Sequence, residues 1–356
     1  MIKYLGSKRR LVPVLGAMAE ATQARTTLDL FTGTTRVAQE FKRRKMSVTA
    51  VDLATYSKVL GDCYVATDAA DVDAGRLAEA IVELNDLPGE RGYVTRTFCE
   101  ASRYFQPKNG QRIDAIRAAI ERDHAGSALH PILLTSLLEA ADRVDSTTGI
   151  QMAYLKQWAP RSHRDLDLRL PDLIPGTGTM RLADVNDVVD ELPAVDLAYL
   201  DPPYNQHRYF TNYHVWETLV RWDAPEHYGI ACKRVDARDP ATKSVFNRKR
   251  QMPDAFADLL GRVRAEVVVV SYNDEAWIGP DRMVAALRDA GHEEVQMVGF
   301  DSRRYVGAQI GVHSPAGQRV GEVSHLHNTE LLFIAGERSR VAAAVVASGR
   351  DAVEVA

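Results

Sequence analysis

Residues 26–53 read TTLDLFTGTTRVAQEFKRRKMSVTAVDL. The short apolar run TTLDLF ends at Gly33, as a buried strand does on entering a tight turn. VAQEFKRRK follows, with Val37 and Phe41 four apart on one helical face. SVTAVDL then reads as a second strand ending in Asp52. Upstream, residues 9–23 place Leu11, Leu15 and Met18 on one face of a helix, and downstream Leu77, Ile81 and Leu84 do the same. Helix, strand, helix, strand, helix predicts a parallel sheet covered on both faces.

Beyond residue 84 the alternation stops. Residues 85–178 contain two good helical stretches, RIDAIRAAIERD and HPILLTSLLEAADRV, and close on LIPGTGTM. They read as a mainly helical insert. Strands return in MRLADV, VDLAYLD, EVVVVSYN, EEVQMVGF and ELLFIAGE. A glycine-rich loop separates the last two, which suits antiparallel neighbours. The expected fold class is α/β, an open and mostly parallel twisted sheet with an antiparallel last strand. Residues 1–84 and 179–340 form the sheet domain, 85–178 the insert and 341–356 a C-terminal tail.

The 356 residues are 46% hydrophobic, enough for a sizeable core. No apolar run reaches the length of a membrane span, and MIKYLGSKRRL has no apolar signal core, so a cytoplasmic protein is expected. Cys63, Cys99 and Cys232 show no paired spacing, which suggests a reducing compartment without disulfides or a zinc site. A net charge of −4 argues against indiscriminate nucleic-acid binding. The charge is nevertheless uneven. Seven basic residues (Lys233, Arg234, Arg238, Lys243, Arg248, Lys249, Arg250) and two acidic ones (Asp236, Asp239) lie between 233 and 250, a strip that could face phosphates or simply solvent.

In open α/β sheets ligands bind outside the carboxyl ends of the strands, where strand order reverses. Gly33 sits at such an end, and Asp52 ends the next strand 19 residues later, the spacing of an acid that accepts ribose hydroxyls. Thr34 and Thr35 stand where a dinucleotide fingerprint would have glycines, which points to a nucleoside without a pyrophosphate.

A second strand end carries chemistry. In LAYLDPPYNQHRYFTNYHVW, residues 197–216, a buried strand runs into Asp-Pro-Pro-Tyr. Proline fixes its own φ and drives the preceding residue out of helical space, so Asp201 and Tyr204 are held at set positions around Pro202 and Pro203. A carboxylate and a main-chain carbonyl from such a turn accept both hydrogens of a ring-bound NH2, and the tyrosine stacks on the ring. Two acceptors localise the nitrogen lone pair and stabilise the positive charge that develops as it attacks. A base inside a duplex reaches such a pocket only if flipped out.

These motifs resemble those of the D12-class (Dam-like, class alpha) DNA N6-adenine methyltransferases. KYLGSK (3–8) is similar to the family's N-terminal motif, DLFTGTTRVA (29–38) to its D-L-F-x-G-x-G loop, Asp52 to its ribose-binding acid and DPPY (201–204) to its catalytic motif. Thr35 departs from the family's usual glycine, and Tyr4 stands where many relatives carry tryptophan. The resemblance implies a class I, Rossmann-like methyltransferase fold with S-adenosylmethionine as cofactor and double-stranded DNA as substrate. It implies Tyr4 and Lys8 at the cofactor's methionine end, Phe31 and Gly33 packed on it, Asp52 on its ribose and Asp184 on its adenine. Asp201 would lie between cofactor and target base, with Pro202 and Pro203 shaping the turn and Tyr204 on the flipped adenine. The insert becomes the natural target-recognition lobe, with Arg208, Lys243, Arg248, Lys249 and Arg250 as phosphate contacts. No metal is implied. A monomer is the default, and a cognate restriction or defence system stays open as a partner.

Other signals are weaker. His325 and His327 lack a third ligand and read as loop or strand-end histidines. Tyr209, Tyr213, His214 and Trp216 suit either a base-stacking surface or the core of the next helix, and Trp216 suits the core. Competing readings are methylation of RNA adenine or of cytosine N4, a dinucleotide-dependent oxidoreductase, and a non-catalytic DNA-binding protein of methylase fold. The intact DPPY and the incomplete glycine fingerprint argue against the last two.

Overall fold

The computed structural model describes residues 2–6, 8–203, 208–273, 276–303 and 327–353. The chain begins α1 (Val12–Ala21), β1 (Thr26–Leu30), α2 (Arg36–Arg43), β2 (Ser47–Asp52). Helices α3 (Thr55–Gly61), α4 (Ala74–Asp86), α5 (Pro107–His124) and α6 (His130–Arg143) lead to β3 (Gly178–Leu182), α7 (Val185–Val188) and β4 (Val195–Leu200). There follow α8 (Tyr209–Asn212), α9 (His214–Arg221), a small ribbon of β5 (His227–Tyr228) and β6 (Lys233–Arg234), then α10 (Met252–Arg262) and β7 (Ala265–Asn273). The last elements are α11 (Pro280–Asp289), β8 (Glu294–Arg303), β9 (His327–Gly336) and α12 (Arg338–Ala347).

The main sheet has the order β3-β2-β1-β4-β7-β9-β8. Strands β3, β2, β1, β4 and β7 run parallel, and β9 pairs antiparallel with both β7 and β8, as expected from the sequence. The four valines 267–270 show why the sheet must be covered twice. Val268 and Val270 enter one core with Leu28, Leu30, Phe256 and Leu287, while Val267 and Val269 enter the opposite one with Met18, Phe41 and Val341. A strand's side chains alternate between faces, so a continuous apolar run requires helices on both.

Strand order reverses between β1 and β4. From β1 the chain moves outward through β2 to β3, and from β4 outward to β7. The carboxyl ends of β1 and β4 therefore flank the crevice where ligands bind in such sheets.

The expected tail at 341–356 is corrected by α12. Val341 and Ala344, three apart, are buried in the core that contains Leu15, Met18 and Phe41. The expected domain boundary at 84/85 falls inside α4, and Leu77, Ile81 and Leu84 share one core with Ile113 and Ile120 of α5 and Leu133 and Leu137 of α6. That core also takes Trp216 and Leu219 of α9, so the helical segment is built onto the chain that follows β4. Arg117 of α5 secures the junction. Its Nε donates to the carbonyl of Leu219 at 2.7 Å and its Nη2 to that of Val220 at 3.1 Å, satisfying carbonyls that the end of α9 leaves without partners.

Candidate active site

The turn after β1 is tightly wound. Phe31, Gly33 and Thr35 have φ of 69°, 54° and 61°, all left-handed. Glycine is needed at 33 for space as well as for φ, because a Cβ there would meet the Tyr4 ring at 3.0 Å. Thr35 is β-branched and strained at this φ. It is held by its amide, which donates to the Thr32 carbonyl at 2.8 Å, and by its Oγ1, which accepts from Gln39 Nε2 at 2.9 Å.

Asp52 ties this turn to β2. Its Oδ2 accepts the Gly33 amide at 2.8 Å and its Oδ1 accepts the Ala54 amide at 2.9 Å. Burial raises the pKa of Asp52, and its backbone hydrogen bonds oppose the rise. Under the turn, Asp29 accepts from the Thr32 hydroxyl at 2.7 Å and the Ala38 amide at 3.0 Å. Its other oxygen is buried without a hydrogen-bond partner, and burial pushes its carboxyl up to about 7.

Asp201 follows β4, whose residues 197–200 are buried. Pro202 is buried and Pro203 reaches the cavity. Asp201 Oδ1 lies 3.1 Å from Lys8 Nζ, which in turn donates to Glu330 Oε1 at 2.5 Å. The same Glu330 oxygen accepts from Ser271 Oγ at 2.7 Å. Burial is the main force pushing the Asp201 carboxyl up to about 6; the Glu330 charge adds to the shift and Lys8 opposes it.

Aromatic rings form the adjoining wall. Tyr4 stacks on Tyr209 at 5.2 Å and on Tyr213 at 4.8 Å between centroids. The Tyr213 hydroxyl accepts the Leu5 amide at 2.6 Å, which fastens the N-terminal segment over the crevice.

A cavity partly open to solvent joins these parts. Tyr4, Phe31, Val51, Asp52, Asp184, Asp201, Pro203 and Tyr209 are among the residues that line it. Asp184 also caps α7, accepting the Asn186 amide at 3.0 Å. Thr242, Ser244 and Asn247 form a further wall, backed by Phe246, which is fully buried and edge-on to Phe31 at 4.9 Å. A partly apolar cavity lined by three half-buried acids, Asp52, Asp184 and Asp201, beside a stacked-ring wall, fits a nucleoside carrying an apolar or cationic extension.

The structure thus gathers Tyr4, Phe31, Gly33, Asp52, Asp184, Asp201 and Pro203 around one space. Lys8 is different: it lies beneath the cavity, paired with Asp201 and Glu330, and does not line it. Tyr204 lies outside the described residues, as does His325. Arg208 is exposed at the start of α8, Lys243 is half-buried, and Arg248, Lys249 and Arg250 are exposed; none lines the cavity. Tyr213, His214 and Trp216 are core residues. The sequence reading missed Glu330 and the Thr242–Asn247 wall. A signal for Glu330 existed, since an antiparallel strand starts where its parallel neighbours end, and Glu330 is the one acid in ELLFIAG.

A family model described as D12 class N6 adenine-specific DNA methyltransferase matches residues 4–284. Among curated proteins, the type II methyltransferase M.CviAII of Paramecium bursaria Chlorella virus 1 is 31% identical over 83% of this chain and 90% of its own. The type II methyltransferase M.NlaIII of Neisseria lactamica is 28% identical over 77% of this chain and 84% of its own. The type II methyltransferase M.FokI of Planomicrobium okeanokoites is 27% identical over 83% of this chain, which spans about half (48%) of that longer protein.

Proposed function

The chain belongs to the D12 class of N6 adenine-specific DNA methyltransferases, and on that premise we propose that it moves a methyl group from S-adenosylmethionine to N6 of an adenine flipped out of double-stranded DNA. The observation that carries this reading is Asp201, placed by a buried strand and a Pro-Pro turn on the wall of a nucleoside-sized cavity. Asp201 accepts one hydrogen of the adenine amino group, and a main-chain carbonyl of the turn accepts the other. The two acceptors stabilise charge that grows on nitrogen only as the bond to carbon forms, so they act on the transition state more than on the bound base. Tyr204 stacks on the flipped ring.

Asp52 accepts from ribose hydroxyls of the cofactor, Asp184 meets its adenine, Phe31 and Gly33 pack against it, and Tyr4 faces its methionine end. The shared cavity lined by Tyr4, Phe31, Asp52 and Asp184 supports this fit. S-adenosylmethionine supplies a methyl group on a sulfonium, an electrophile that needs no metal. Lys8 acts from below, on Asp201.

In this reading Arg208, Lys243, Arg248, Lys249 and Arg250 contact DNA phosphates, and residues 85–178 recognise the target on a catalytic domain made of 1–84 and 179–340. The relatives' names, type II methyltransferases and modification methylases, support a role in DNA modification; in our reading the enzyme works as a monomer in the compartment that holds the DNA, beside a cognate restriction or defence system. Among the described residues no helix is long and apolar enough to cross a membrane.

The test is expression of the wild type and Asp201→Ala in cells without adenine methylation, with N6-methyladenine measured by mass spectrometry of digested DNA. The reading requires the modified base with wild type alone. Its absence from both samples, with both proteins folded, would overturn it.

A further inference from the structure

Two carboxylates share one ammonium beneath the DPPY turn. Lys8 reaches Asp201 at 3.1 Å and Glu330 at 2.5 Å, and its side chain is only 8% exposed. Glu330 enters from the antiparallel strand β9, opposite Asn273, and is anchored by the Ser271 hydroxyl of β7. Water is scarce here, so each charge acts on its neighbours with little screening.

We propose that Glu330 is a positioning residue for methyl transfer: by competing with Asp201 for Lys8, it sets how much negative charge the Asp201 carboxylate presents to the amino group of the target base. The inference rests on the reading of Asp201 as acceptor of that amino group. A carboxylate fully neutralised by Lys8 would be a weak acceptor. One with no ammonium nearby would take up a proton and could no longer accept in the same way. Holding Lys8 closer to Glu330 than to Asp201 gives an intermediate state.

The other groups that face Asp201 act in fixed directions. Asp29 on β1 repels its charge, and Asp29 is itself opposed by Asp52 on β2. The Tyr199 phenol of β4 is buried, and its pKa is raised first by burial and then by the Asp201 charge, so it stays neutral. Lys8 favours the ionised Asp201, and Glu330 opposes it. An ion pair that merely fastened the N-terminal segment to the sheet would affect stability without moving the ionisation of Asp201.

The test is the pH dependence of kcat for transfer of a tritiated methyl group from S-adenosylmethionine into genomic DNA that lacks adenine methylation. Glu330→Gln keeps the shape and removes the charge. Its acid limb should move about one pH unit lower, because Lys8 then serves Asp201 alone. Glu330→Asp should return the limb toward the wild type, and Lys8→Met should move it the other way, to higher pH. KM for the cofactor should change less than about twofold in Glu330→Gln, since Glu330 does not line the cavity. An acid limb in Glu330→Gln that coincides with the wild type, whatever the plateau rate, overturns the proposal. If Glu330→Gln does not fold, Ser271→Ala decides. Without that hydroxyl Glu330 draws more on Lys8, and the limb should rise by about half a unit; an unmoved limb is again contrary. A wild type that is folded but transfers no methyl group at any pH removes the reading of Asp201, and this inference with it.

Discussion

Asp52 and Asp201 end strands of the same sheet and border the same cavity, yet they are held in opposite ways. Asp52 is fixed by two main-chain amides, those of Gly33 and Ala54, both close to it in the local strand-turn-strand unit. Asp201 is fixed by a side-chain ammonium that it shares with Glu330, and Lys8 and Glu330 are 322 residues apart in sequence. Backbone donors orient a carboxylate and cannot be altered by a side-chain substitution. Side-chain charges orient it too, and they also set how readily it ionises. On the proposed reading, the recognition half of the site is built from local backbone, and the chemical half from long-range charge.

The largest expected effect breaks the chemical half. Asp201→Asn keeps the shape but turns one acceptor oxygen into a donor or a neutral acceptor. The transfer rate should fall by about 10²–10³-fold, measured in a single turnover. In the wild type the rate should also decline as pH falls through about 6, because Asp201 must be ionised to accept and its carboxyl is pushed up to about 6.

Next comes the scaffold under the recognition half. Asp29 is buried, with one oxygen unpartnered and its carboxyl pushed up to about 7 from 3.8. Folding therefore favours its protonated form. The penalty is absent below about pH 4, grows through about pH 7 and is full above it, on the order of 4 kcal/mol. Asp29→Asn can still accept from Thr32 and Ala38. It should raise the denaturation midpoint at pH 8, with a gain of about 1–3 kcal/mol, and leave it nearly unchanged at pH 4. Equal effects at both pH values would show that folding does not raise the Asp29 carboxyl above its ordinary value.

Gly33→Ala sharpens the comparison from the other side. The added Cβ meets the Tyr4 ring at 3.0 Å at a φ of 54°. It should cost about 1–3 kcal/mol of stability and weaken cofactor binding, with the transfer rate at saturating cofactor little changed. Calorimetry and equilibrium binding measure the two parts. The smallest effect is expected outside both halves. Lys249→Ala should leave cofactor binding alone and reduce the slope of log DNA affinity against log salt by about one.

How much could be read in advance follows the same division. The β1-turn-α2-β2 unit and the buried strand before DPPY are carried by local periodicity and by glycine and proline chemistry, so Gly33, Asp52 and Asp201 could be picked out from the sequence. The pairing of Lys8 with Glu330 has no local signature; the family resemblance alone puts Lys8 at the cofactor's methionine end. The Thr242–Asn247 wall hides within a run of basic residues. Its apolar backing is only Val245 and Phe246 among polar residues, so the neighbouring charges stand out instead. Helix α12 is hard to read from sequence, since its buried residues are only Val341 and Ala344 in an alanine-rich stretch. The shared core of the helical segment and α9 joins stretches on either side of β3 and β4, which no single window of sequence spans.

The most direct measurement of the account compares Asp52→Ala with Asp201→Asn in one experiment. Equilibrium binding of S-adenosylmethionine and single-turnover transfer at saturating cofactor are recorded for both. Asp52→Ala should bind cofactor about 10–150-fold more weakly, the loss of charged hydrogen bonds worth about 1.5–3 kcal/mol, and transfer at near the wild-type rate once saturated. Asp201→Asn should bind cofactor nearly as the wild type does and transfer about 10²–10³-fold more slowly. Loss of the same parameter in both variants would contradict the division of the site into a recognition half and a chemical half.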